Sequence, residues 1–214
     1  MRRRELVRLV AGFKRFRLKY FDGENSVYRK LSESGQTPKT LVIGCSDSRV
    51  DPAILSSAAP GELFVVRNVA NLVPPFEEND GFHGVSSAIE FAVVNLKVEN
   101  VVILGHQQCG GIRALMSGVS NTGPSFIARW VSISEEAKNI VLKKFPGADP
   151  VTLCGQCELE SIRVSIRNLR TFPFIQDAIR ERDISLVGAY FDMDEGRLLQ
   201  LDETTGTFSA VDIS

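Results

Sequence analysis

Net charge, long apolar runs and histidine are all in short supply in this chain. Lysine and arginine number 25 against 26 acids, a formal balance of −1. That leaves no electrostatic footprint for DNA or RNA and excludes nucleic acid as the expected partner. No stretch approaches the roughly 18 apolar residues that a membrane span needs, so no membrane partner is expected either. The basic start, MRRRELVRLVAGFKRFRLKYF, has charges at Lys14, Arg15, Arg17 and Lys19 that interrupt any signal-peptide core. Glu5 and the lack of serine there argue against a transit peptide. The expectation is a cytoplasmic protein. Only two histidines are present, His83 and His106. The four cysteines, Cys45, Cys109, Cys154 and Cys157, suit metal ligation or free thiols better than a disulfide framework in a chain of 214 residues.

What is present is a pattern of short, continuously apolar runs alternating with helical periodicity. Thr40 to Gly44 has the character of a strand buried on both faces, Val101 to Leu104 reads as its buried neighbour, and Phe64 to Val66 and Ile184 to Phe191 read as further strands. Asp51-Pro52 opens a short helix to Ser57, with Asp as N-cap and Pro at the first helical position. Val85 to Leu96, Ile112 to Met116, Phe126 to Leu142, Leu159 to Leu169 and Ile175 to Glu181 are the other helical segments, with Pro146-Gly147 and Asp149-Pro150 expected as breaks. Arg67 to Gly84, with its acidic Glu77 to Asp80 patch, is expected to be irregular, and Ser117 to Pro124 a polar turn region. Asp194-Glu195-Gly196 is expected to turn the chain into an antiparallel strand at Leu198 to Leu201. The order is that of βαβ units. The expected fold class is α/β, a central mostly parallel sheet flanked by helices with an antiparallel edge strand near the C-terminus. Arg3 to about Ser32 predicts a basic amphipathic helical arm broken near Asp22 to Asn25. One domain is expected over residues 1–214, with 1–35 as the arm and 36–214 as the α/β core.

Two strand ends carry the chemistry. LVIGCSDSR at Leu41 to Arg49 and VVILGHQQCGG at Val101 to Gly111 are each an apolar run, then glycine, then a polar cluster. In open parallel sheets ligands collect beyond the carboxyl ends of the strands, where both clusters fall. Together they offer Cys45, Asp47, His106 and Cys109, four potential ligands of zinc type, with His106-x-x-Cys109 a short chelating spacing. The fourth position goes either to Asp47, which closes the site, or to water, which makes it catalytic. Arg49, two residues on, can compete for Asp47 by bidentate pairing.

These residues resemble the β-class carbonic anhydrases. The resemblance rests on CSDSR at Cys45 to Arg49, GELFVVRNVANLVPP at Gly61 to Pro75, SSAIEFAV at Ser86 to Val93 and GHQQCGG at Gly105 to Gly111. It implies reversible hydration of CO2 to bicarbonate and a proton, by zinc-bound hydroxide, with one zinc per subunit. The implied zinc ligands are Cys45, His106 and Cys109, with Asp47 and Arg49 as a gating dyad that puts Asp47 on or off the metal. It implies a substrate pocket with Gln36, Phe64, Phe91 and Gly110, Phe91 standing where many members have tyrosine. It also implies a homo-oligomer built from dimers, the helical arm embracing the second subunit and the active site at the interface.

Departures from the family pattern are equally specific. A non-catalytic bicarbonate site with a Trp, Arg and Tyr triad corresponds to Val42, Arg67 and Phe191, so that site is expected to be absent. Asn95 stands where a proton-shuttling histidine has been proposed, which leaves His83 as the spare imidazole. Cys154-Gly155-Gln156-Cys157 has redox spacing, and a thiol oxidoreductase stays open beside the plainer account of two ordinary thiols. A hydrolase of carbon disulfide or carbonyl sulfide on the same fold stays open as well.

Overall fold

The computed structural model describes residues 2–21, 26–79, 81–118 and 125–212. Four strands run parallel in the order β2, β1, β3, β4: β1 is Thr40–Cys45, β2 Leu63–Asn68, β3 Asn100–His106 and β4 Ser185–Asp192. Two antiparallel strands, β5 (Arg197–Asp202) and β6 (Thr207–Ala210), extend the sheet beyond β4. The α/β class, the parallel core and the antiparallel end are as the sequence leads one to expect. β6 is additional. Its short TFSA run, mostly exposed, offers no apolar alternation to mark it.

Strand β1 shows why the order matters. The chain goes from β1 outward to β2 and returns to β3 on the other side of β1, so the connections leaving β1 and β3 diverge. Between their carboxyl ends lies a crevice, and Cys45 and His106 are the last residues of the two strands. The strand interiors are nearly dry. Leu41, Ile43, Val101 and Ile103 lie in the main core beneath helices α4 (Gly84–Glu90), α8 (Pro150–Leu169) and α9 (Pro173–Arg182), and Val42, Leu104 and Ala189 form a smaller cluster. Burying each such side chain contributes about 1.5–3 kcal/mol.

Helix α8 differs from expectation in an instructive way. Asp149-Pro150 is not a break but a start: Asp149 accepts hydrogen bonds from the backbone N–H groups of Val151 and Thr152, and Pro150 opens a helix of 20 residues. The Cys154 to Cys157 motif therefore lies inside a helix, Cys157 buried and Cys154 partly so. Glycines in two strands admit this helix. A Cβ on Gly105 would sit 2.6 Å from Ile162 Cδ1, and one on Gly188 would sit 2.9 Å from Ile162 Cγ2. Ile162 thus rests in a notch cut across β3 and β4, and this locks the height of α8 against the sheet.

Two other helices depart from regularity. The expected helix Val85 to Leu96 widens at Phe91–Asn95 into a π turn, in which Leu96 N–H reaches back five residues to the Phe91 carbonyl. Arg182, at the end of α9, caps that turn by donating to the Val93 and Val98 carbonyls. The expected helix Phe126 to Leu142 divides into α6 (Phe126–Val131) and α7 (Glu135–Lys144) around a 3-10 turn at Ser132–Ser134. Helix α3 (Pro52–Ser56) has Asp51 as its N-cap, and α5 (Gly110–Met116) follows the second cluster. The arm comprises α1 (Arg2–Tyr20) and α2 (Val27–Ser34), joined by packing of Phe16, Tyr20 and Phe21 on Tyr28. The expected break at Asp22 to Asn25 lies outside the described residues, as do Asp80 of the acidic patch and most of the Ser117 to Pro124 turn.

Filling the notch tests this packing. Gly188→Val brings a branched side chain into Ile162 and Leu201 and is expected to cost about 1–3 kcal/mol. A denaturant midpoint equal to that of the parent protein would show that α8 does not seat as described.

Candidate metal centre

Cys45, His106 and Cys109 present ligand atoms that all lie within 4.8 Å of one another, and all three residues are buried. They are the group among the described residues that could hold a metal ion. The two Sγ atoms are 3.9 Å apart. Cys45 and His106 come directly from the ends of β1 and β3. Cys109 is brought back by a tight turn in which Gln108 takes a left-handed φ of 57°. Gly111 lets the start of α5 approach the 3-10 segment Val69–Asn71, because a Cβ there would lie 2.6 Å from Val69 Cγ1.

Histidine 106 is the informative member. It is 1% exposed, and its Nδ1 lies 2.8 Å from the Gln107 carbonyl, which makes Nδ1 the protonated nitrogen. Nε2 is buried with no hydrogen-bond partner. A buried polar atom without a partner costs about 1–3 kcal/mol, so a bare imidazole nitrogen between two thiols is the donor set of a soft divalent cation, and the residues fit zinc. The electrostatics of the group agree. The Cys45 thiol is held well below its ordinary value by the Cys109 Sγ–H, against the effect of burial, with further help from His106 and the Asp47 N–H. The Cys109 thiol is driven up by its hydrogen bond to the Cys45 thiolate and by burial. Burial lowers the His106 imidazole, but the Cys45 thiolate more than offsets this and leaves it raised.

Asp47 stands beside this group rather than in it. Arg49 Nε donates to Oδ1 at 3.0 Å, Arg49 Nη2 donates to Oδ2 at 2.7 Å, and the Arg49 backbone N–H also donates to Oδ1 at 3.0 Å. These bonds hold the Asp47 carboxyl below the usual carboxylate range. Arg49 Nη2 is itself fixed by the Gln108 carbonyl at 3.2 Å, so the dyad spans both loops.

Of the other residues singled out from the sequence, Gly110 follows Cys109 at the start of α5, and the rest lie elsewhere. Phe64 pairs with Leu41 at the amino end of the sheet, four residues along the strand from the Cys45 level, about 13 Å away. Gln36 is exposed and precedes β1, and Phe91, half-exposed, packs on Phe64 with ring centroids 5.8 Å apart. Within one chain, therefore, Gly110 lies with the cluster at the carboxyl end of the strands, while Phe64, with Phe91 packed on it, lies toward the amino end. The positions of the bicarbonate triad are engaged otherwise: Val42 is in the core, and Arg67 donates to the Cys45 carbonyl (2.9 Å), the Asp47 carbonyl (2.7 Å) and Asp51 Oδ2 (2.8 Å). His83 bonds Asn79 in its own loop at 2.8 Å.

Sequence reasoning missed Glu158. It is 4% exposed, accepts from the Cys109 N–H and the Tyr190 hydroxyl at 2.8 Å each, and is pushed up by burial against those bonds. The available signal was an acid four residues before Ile162, which places it on the buried face of α8.

A sheet crevice holding a buried Cys, His, Cys donor set is that of an α/β protein able to hold a metal ion. The chain belongs to the carbonic anhydrase family, in its β class: residues 40–198 match the family model described as carbonic anhydrase. β carbonic anhydrase 3 of Arabidopsis thaliana is 36% identical over 208 residues, spanning 94% of this chain and 80% of that protein. The solved β-carbonic anhydrase CcaA is 31% identical with a TM-score of 0.88, covering 97% and 92% of the two chains. A tetrameric β-carbonic anhydrase of Sordaria macrospora is 28% identical with a TM-score of 0.72, covering 96% of each. No helix among the described residues is long and apolar enough to cross a membrane.

Arg67→Met removes three charge-assisted bonds that hold the Cys45 to Asp51 loop, and is expected to cost on the order of 2 kcal/mol. Amide exchange at Ser46 to Val50 should quicken with it; unchanged exchange there would show that the loop is held by other means.

Proposed function

We propose that this protein catalyses the reversible hydration of carbon dioxide to bicarbonate and a proton, with one zinc ion per subunit held by Cys45, His106 and Cys109. The observation that carries the reading is the buried, unpartnered Nε2 of His106 facing two thiols. When bound, zinc acts as a Lewis acid that makes hydroxide available near neutral pH.

The chain's own groups do the rest. Arg49 occupies both oxygens of Asp47 and so withholds it from the metal position, which leaves that position open to the reacting water. Oδ1 already accepts two bonds and Oδ2 only one, so Oδ2 keeps an acceptor site with which to orient that water. Gly110, at the start of α5, lines the approach. Gln36, Phe64 and Phe91 form the polar and apolar walls that hold carbon dioxide and bicarbonate.

Since Phe64 lies about 13 Å from the donors along the strands of the same chain, with Phe91 packed on it, the pocket is completed by a second copy, in a homo-oligomer built from dimers. Helix α1 supports this. It exposes Leu6, Leu9, Val10 and Phe13, and its basic residues far outnumber its acid, Glu5, while the whole chain is near neutral. The remainder is therefore net acidic and complementary to the arm of another copy. A solution mass equal to a single chain would overturn this part of the reading.

The central test measures metal content and carbon dioxide hydration on the same purified sample. One zinc per chain and rapid hydration are expected, with both lost in His106→Ala. Two thiolates cancel the formal charge of a divalent cation, so the rate should rise toward alkaline pH. Asp47, depressed by Arg49, stays ionised throughout the neutral range and loses its pairing only as pH falls well below its ordinary value, so the rise is not its titration. Zinc-loaded protein without hydration, or a rate flat from acidic to alkaline buffer, would count against the proposal.

A further inference from the structure

Glu158 uses its two oxygens in different directions. Oε1 accepts from the Cys109 backbone N–H, and Oε2 accepts from the Tyr190 hydroxyl, both at 2.8 Å. The carboxylate is 4% exposed and sits on α8, whose height is fixed one turn later by Ile162 in the Gly105 and Gly188 notch. Tyr190 stands on β4 directly opposite Gly105 of β3. The carboxylate is thus held by a helix and a strand, neither of which belongs to the ligand loop.

The loop itself is weakly determined. Glycine flanks it at Gly105, Gly110 and Gly111, Gln108 has a left-handed backbone that costs roughly 1–2 kcal/mol in a non-glycine residue, and Cys109 precedes α5 without a side-chain capping bond. Freed from capping, the Cys109 thiol can turn toward Cys45, but something must hold its backbone at the right height and rotation. We infer that Glu158 is a positioning residue for the metal centre, fixing the Cys109 N–H so that the third donor meets Cys45 and His106, with Tyr190 orienting the carboxylate. This rests on the reading that the three residues bind zinc.

A mere folding staple between α8 and the sheet would be felt in stability and not in metal retention. The test compares Glu158→Leu, Glu158→Gln and Tyr190→Phe with the parent by two measurements: release of zinc to a chromogenic chelator, and thermal unfolding of the metal-stripped proteins. Loss of a partner that orients a ligand costs about 10–100-fold in metal affinity, so Glu158→Leu should release zinc at least about tenfold faster. Glu158→Gln keeps an oxygen for the Cys109 N–H and can donate its amide to Tyr190, so it should retain zinc nearly as the parent does. Tyr190→Phe should fall between. Release from Glu158→Leu at the parent rate, or a shift confined to the unfolding of the stripped protein, overturns the inference. If the leucine variant does not fold, release from Tyr190→Phe at the parent rate overturns it. A parent protein that binds no zinc overturns the metal reading, and this inference with it; a parent that binds zinc, with variants that all release it at the parent rate, overturns this inference alone.

Discussion

Two cysteine sulfurs and an imidazole nitrogen without a hydrogen-bond partner are buried within 4.8 Å of one another. Polar atoms placed this way resist burial, and left to themselves the loops that carry them would swing toward water. Much of the architecture opposes that tendency. Parallel pairing of β1 with β3 puts two of the donors on adjacent strand ends. The reversal of connection direction there leaves room for a ligand instead of a crossing helix.

Each ligand loop is then held from outside itself. Arg67, on β2, spans the first loop through two carbonyls and Asp51. The second loop is bonded through Cys109 by Glu158 of α8. Arg49 ties one loop to the other by bonding Asp47 on one side and the Gln108 carbonyl on the opposite side. Arg67 thus serves the carbonyls of the first loop, and Glu158 serves an N–H of the second.

Much of this was legible in the residues alone. Continuous apolar runs such as Thr40 to Gly44 mark strands covered on both faces, and cysteine and histidine just past glycine at two such ends locate the crevice. What stayed hidden depends on contacts between distant segments. Asp149-Pro150 looks like punctuation until its side chain is seen accepting from Val151 and Thr152, although the same pair at Asp51-Pro52 is a recognisable helix start. The widening at Phe91–Asn95 has no signature, because it is held by Arg182 more than eighty residues away. Glu158 was overlooked because an acid in a helix ordinarily faces water, and only the tertiary fold turns it inward. The separation of Phe64 from the donors follows from strand register, which spacing along the chain does not reveal.

That separation bears on inheritance. Donors at the carboxyl end and walls at the amino end of the same strands make the two halves of a pocket independent properties of one polypeptide. On the dimeric reading, a chain damaged in His106 and a chain damaged in Phe64 are each inactive when paired with their own kind. Mixed together, they form one pocket from the sound half of each and one from the two damaged halves. Alleles of this gene would then complement one another between subunits when they strike opposite ends of the sheet, and fail to when they strike the same end.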